Sequence, residues 1–118
     1  MANEYDITAE EGMSAPIAED EIRADLDRVL AEEGVPAAGC DLHCFTDGPE
    51  VMAPFVELGC HIAFGGASTF KRSDDIRDAA AACPAELLLS ETDCPYMAPV
   101  PLRGEECEPA MVAFSAAC

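Results

Sequence analysis

Short apolar runs alternate with amphipathic helical stretches along this chain, and two of the runs end on side chains able to hold a metal. One is Asp41-Leu42-His43-Cys44-Phe45; the other is Ser90-Glu91-Thr92-Asp93-Cys94-Pro95-Tyr96. Between them the order is strand, helix, strand, helix, strand. Parallel neighbours need a crossover long enough for a helix, so this order predicts a parallel sheet. In parallel barrels the C-terminal strand ends share one rim, and chemistry gathers there. A histidine after one strand and an aspartate after another can therefore meet.

The periodicity places the elements. Ile22, Leu26, Val29 and Leu30 share one helical face over residues 20–33, with Asp20 as cap and Gly34 with Pro36 as stop. The first strand is expected over 40–45, with Leu42 and Cys44 on one side and Asp41, His43 and Phe45 on the other. A short helix follows, with Val51, Met52, Phe55 and Val56 as its apolar side and Pro54 inside it. A second strand over 60–65 ends in Gly65-Gly66. Ser73 caps the next helix, whose inner face is Ile76, Ala79, Ala80 and Cys83. Leu87-Leu88-Leu89 reads as a buried parallel strand. Residues 95–109 are proline-rich and irregular, and a last helix opens near Pro109. Residues 1–19 read as a loosely ordered acidic leader, leaving 20–118 as the folding unit.

Several runs together resemble a known family. His43-Cys44-Phe45, Ile62-Ala63-Phe64-Gly65-Gly66, the stretch from Glu91 to Pro99, Arg103-Gly104 and Glu108-Pro109 are similar, in order and spacing, to the C-terminal part of the TatD-type metal-dependent DNases. The resemblance implies an α/β fold: the C-terminal βα units of a TIM-barrel metal-dependent hydrolase. With 118 residues the chain is short of the roughly 250 such a barrel typically needs, so an incomplete barrel is expected. Its exposed strand edges would favour a homo-oligomer or a complementing fragment.

The resemblance also implies roles. His43 and Asp93 match metal ligands, Asp93 also matching the base, and Glu91 matches a catalytic glutamate that orients a ligand or water. The cofactor would be a divalent ion, Mg, Mn or Zn, and the reaction hydrolysis of DNA or another phosphodiester by a metal-activated water. The family's opening H-x-H pair and its middle-strand glutamate have no counterpart in these 118 residues. Arg103 is a candidate for meeting a substrate phosphate, with Glu105 or Glu106 as the alternative partner.

Other residues carry plainer readings. His61 is structural. Gly65-Gly66 serves either substrate approach or a tight turn. Tyr96 and Met97 pack their loop. Cys94 is no nucleophile, since no base is positioned beside it.

Charge limits the partners. The net charge is −18, and the only cations after residue 33 are Lys71, Arg72, Arg77 and Arg103. No basic patch is evident in that spacing, so binding to DNA is expected to be weak. Seven cysteines, an odd number without a C-x-x-C pair, argue for reduced thiols rather than disulfides or structural zinc. With no apolar run of signal or membrane type, a cytoplasmic location is expected.

Overall fold

The computed structural model describes residues 19–118. The acidic leader, apart from the Glu19 backbone, lies outside the described residues, as do the side chains of Glu19, Asp20 and Ile22. In chain order the elements are α1 (Glu19–Glu33), β1 (Asp41–Leu42), α2 (Pro49–Glu57), β2 (His61–Phe64), α3 (Asp74–Ala82), β3 (Leu88–Ser90) and α4 (Val112–Ala116). Short 3-10 turns occupy Gly66–Thr69, Ala85–Leu87 and Pro109–Met111.

The three strands form one parallel sheet in the order β1-β2-β3. Asp41 pairs with His61, Leu42 with Ile62, Ile62 with Leu88 and Phe64 with Ser90. The central strand is the apolar one, with Ile62, Ala63 and Phe64 all buried. Met52 and Phe55 of α2 and Ile76 and Ala79 of α3 share its core. That is the face the 3.6-residue period selects.

α3 begins with Asp74 and Asp75, favourable at the positive end of the helix dipole. Ser73 occupies the cap position but its hydroxyl makes no capping bond, contrary to the sequence reading. The Asp75 carboxylate accepts from the Ile76 amide at 2.9 Å instead. Arg77 donates to the Ser68 and Phe70 carbonyls, each at 2.7 Å, and so ties α3 to the turn after β2.

Four further expectations are corrected. Helix α1 already includes Glu19, so Asp20 is not its cap. Leu26 and Val29 are each 42% exposed, and among the described side chains of that stretch only Leu30 packs on the core. An apolar stripe says which face a helix would bury, not that a partner is present to cover it. The same holds for β3, where Leu88 is 43% and Leu89 40% exposed instead of buried. β3 ends the sheet, and a parallel strand is fully covered only between neighbours. Finally, β1 stops at Leu42, so Phe45 does not share a side with His43.

Candidate metal centre

The early end of β1 is what presents His43. Cys44 takes a left-handed backbone, φ +52°, which reverses the chain directly after the histidine. The Phe45 amide then returns to the sheet, donating to the Ala63 carbonyl at 2.9 Å. Its buried ring meets Phe64 edge-on, centroids 5.7 Å apart. His43 is left outside this anchor, at the C-terminal end of β1.

Glu91 and Asp93 come from the matching end of β3. The Glu91 amide donates to the Phe64 carbonyl at 3.1 Å, continuing the ladder one residue past the strand. The Tyr96 amide closes the following turn on the Asp93 carbonyl at 2.8 Å. Glu91 and Asp93 are two residues apart in extended chain, so their side chains leave the same way.

The three side chains meet. His43 Nε2 lies 3.0 Å from Asp93 Oδ1 and 3.3 Å from Glu91 Oε2. One nitrogen, carrying at most one proton, can donate to only one of them. The bond goes to Asp93; both Glu91 oxygens and Asp93 Oδ2 are buried with no hydrogen-bond partner. The Glu91 side chain is 11% exposed, that of Asp93 18% and that of His43 60%. Burial, and then the nearby Asp93 charge, raises the Glu91 carboxyl above its ordinary range, against the lowering influence of His43.

Unpartnered buried carboxylate oxygens are costly, and a cation removes that cost. One imidazole nitrogen and two carboxylate oxygens within 4.8 Å of one another make a donor set of the right kind for a divalent ion. Three protein donors with room for water is also the count of catalytic zinc sites. The residues present therefore fit such a group. Glu91, read from the sequence as an orienting residue, stands among the candidate donors.

Two neighbours shape the site in ways the sequence reading missed. A Cβ at Gly65 would collide with Glu91 Oε1, so this glycine makes room for the carboxylate. A Cβ at Gly66 would strike the Met97 carbonyl, so that glycine lets the β3 loop lie flat on the turn. Burial and the adjacent Asp93 carboxylate push the Cys44 thiol up to about 12, so it stays a neutral thiol beside the donors.

The remaining candidates lie elsewhere. His61 opens β2, at the opposite end of the sheet, and its amide donates to the Cys40 carbonyl at 2.8 Å. Arg103 has neither Glu105 nor Glu106 as an ion-pair partner; its guanidinium stacks on the Phe70 ring at 4.0 Å. Met97 packs against the core, but Tyr96 is 73% exposed and does not pack the loop as expected. Cys94 is exposed, and the described cysteines are all free thiols. Among the described residues no helix is long and apolar enough to cross a membrane.

Comparison with known proteins matches this arrangement. The TatD-related DNase family matches residues 15–118. This chain belongs to that family. The family match covers the rim residues and the α/β scaffold alike. YcfH of Escherichia coli K12, described as an uncharacterized metal-dependent hydrolase, is 49% identical over 90 residues, which cover 76% of this chain and 34% of YcfH. YabD of Bacillus subtilis, described in the same words, is 38% identical over 92 residues, covering 78% of this chain and 36% of YabD. The crystal structure of YJJV, a TatD homologue from Escherichia coli, superposes with a TM-score of 0.72 at 32% identity, over 80% of this chain and 36% of that one. This TatD-family chain thus spans about a third of the length of the relatives it matches. It carries part of their barrel: a parallel wall with one set of rim residues.

Proposed function

We propose that this chain supplies the His43, Glu91 and Asp93 corner of a divalent-metal-dependent hydrolase that cleaves phosphodiester bonds, with DNA as substrate. The carrying observation is the group of buried, unpartnered carboxylate oxygens facing the His43 ring. A bound divalent cation would polarise the phosphodiester and lower the pKa of an attached water. His43 Nε2 and one oxygen each of Glu91 and Asp93 would hold it. The Asp93 oxygen left over is suited to accept a proton from the attacking water, and the Glu91 oxygen left over to orient that water. In the metal-free chain Cys44 is a neutral thiol beside these donors.

The test is hydrolysis of single-stranded DNA with added magnesium, manganese or zinc, with a chelator control and the Asp93→Ala variant. Hydrolysis that needs both metal and Asp93 supports the reading. Hydrolysis equal in the variant contradicts it.

A second reading is favoured by one observation: the outermost strand exposes Leu88 and Leu89. In this reading the chain is a catalytically incompetent barrel piece that associates with itself or with a complementing chain. Light scattering decides it. A monodisperse monomer with a cooperative thermal transition contradicts this reading, and a stable oligomer supports it.

A further inference from the structure

The chain has six lysines and arginines, and three of them are held in ion pairs. Arg23 reaches Asp47 at 2.8 Å, Arg28 reaches Glu32 at 3.0 Å, and Arg77 reaches Asp74 at 2.6 Å. Lys71, Arg72 and Arg103 have no carboxylate partner among the described residues, in a chain with 24 acidic side chains. With carboxylates so abundant, three unpaired cations in one place need a reason.

Their place is specific. Lys71 and Arg72 follow the 3-10 turn after β2, and Arg103 lies in the loop after β3. Both loops rise from the sheet end that carries His43, Glu91 and Asp93. They are joined: the Val100 amide donates to Thr69 Oγ1 at 2.9 Å, and the Arg103 guanidinium lies on Phe70, next in sequence to Lys71. The turn Gly66–Thr69 links the two regions. Gly65 abuts Glu91 at one end of it, and Phe70 lies under Arg103 at the other. At about 2 Å per residue of 3-10 helix, the backbone from Gly65 to Phe70 spans on the order of 10 Å. The linear spacing hid this grouping, because Arg103 comes 31 residues after Arg72.

We infer that Lys71, Arg72 and Arg103 form a phosphate-binding patch beside the metal centre, holding a phosphate of the substrate strand that is not the one cleaved. This rests on the phosphodiester reading above and names what grips the rest of that substrate. The Arg103 guanidinium sits over the Phe70 ring and has no carboxylate partner among the described residues, and a guanidinium can meet two phosphate oxygens at once. Lys71 and Arg72 are exposed and supply charge without fixed geometry. Glu105 and Glu106, just beyond Arg103, Glu108 in the same loop, and Asp75 at the start of α3 weaken the field. The patch therefore suits a single strand with a few phosphates rather than a duplex gripped along its length.

The experiment uses the full chain with a chelator present, so that metal plays no part. Fluorescence anisotropy follows a labelled single-stranded oligothymidylate as NaCl is raised, with thymidine monophosphate and inorganic phosphate as competitors. In parallel, the thermal shift on adding manganese alone is measured. The expected result is salt-dependent binding that weakens tenfold or more in Lys71→Ala/Arg72→Ala/Arg103→Ala, with the manganese shift unchanged. Arg103→Lys, which keeps the charge and loses the fork, should fall between. Competition by free phosphate at concentrations where the oligonucleotide binds would mark the patch as a general phosphate site and overturn the strand assignment. Equal affinity and salt slope in wild type and triple variant would overturn the patch itself. Loss of the manganese shift in wild type would instead count against the metal centre, and leaves the patch to be judged by the anisotropy alone.

Discussion

Gly65 lies against Glu91 so closely that no side chain fits between them: a Cβ at position 65 would run into Glu91 Oε1. The glycine at the end of β2 is thereby part of how the β3 carboxylate is placed. Gly65→Ala should force the carboxylate out of its pocket. The atom in the way is the far end of a flexible side chain, which turns aside at a cost of about 0.5–1.5 kcal/mol. Urea unfolding should show that loss, and manganese titration should show weaker binding in the same variant. An alanine variant with unchanged stability and metal affinity would remove Gly65 from the account.

Glu91→Gln tests whether the buried carboxylate is retained for a cation rather than for stability. Without metal, the wild type keeps two unpartnered oxygens on a buried carboxyl raised above its ordinary range by burial. The neutral amide should therefore leave the metal-free chain as stable or more stable at pH 7, by up to about 1 kcal/mol. It should also shrink the stabilisation that added metal gives. Differential scanning calorimetry with and without manganese reads both effects. A destabilised metal-free variant with a full metal effect is the opposite of what the site predicts.

How much of this was readable in advance depends on whether a feature is local. The helix–strand order is local, and so is the face of Ile76, Ala79 and Cys83, which packs as the period requires. Asp93 could be singled out because it follows an apolar run, and His43 because it lies in a strand and matches the family motif. Whether an apolar face finds a partner is not local. Leu26, Val29, Leu88 and Leu89 have the pattern of core residues and remain exposed, since the sheet ends at β3. The reversal at Cys44 was not legible, because a left-handed cysteine has no sequence signature. The role of Gly65 was half legible: the glycine pair marked a special backbone, but only the register of β3 shows that Glu91 fills the space.

The thiols supply a pH prediction. Cys60 is fully buried, and burial, with Cys40 alongside, pushes its thiol from 9.0 to about 11. The unfolded chain therefore releases this proton before the folded chain does. Stability contributed by the neutral thiol is complete below pH 9 and is lost as pH rises towards about 11. Urea midpoints measured from pH 8 upward should fall, and fall less steeply in Cys60→Ala. At pH 8, iodoacetamide should label the exposed Cys94 and Cys118 well before Cys60. Early labelling of Cys60 would contradict its burial in the core.

Leu88 and Leu89 should govern self-association. Both are exposed on the last strand of an open parallel sheet. A charge on an edge strand disfavours pairing with another chain. Leu89→Lys should weaken association about tenfold, roughly 1.4 kcal/mol, as read by sedimentation velocity over a concentration series. An unchanged association constant would place the contact elsewhere.

The most direct test of the central claim is calorimetric titration of the wild-type chain with manganese or zinc, repeated with His43→Ala and Asp93→Ala. The account predicts one cation per chain, bound through His43, Glu91 and Asp93, with affinity lowered at least tenfold in either variant. Equal binding in wild type and both variants would mean that the cluster at the sheet's C-terminal end is not a metal centre.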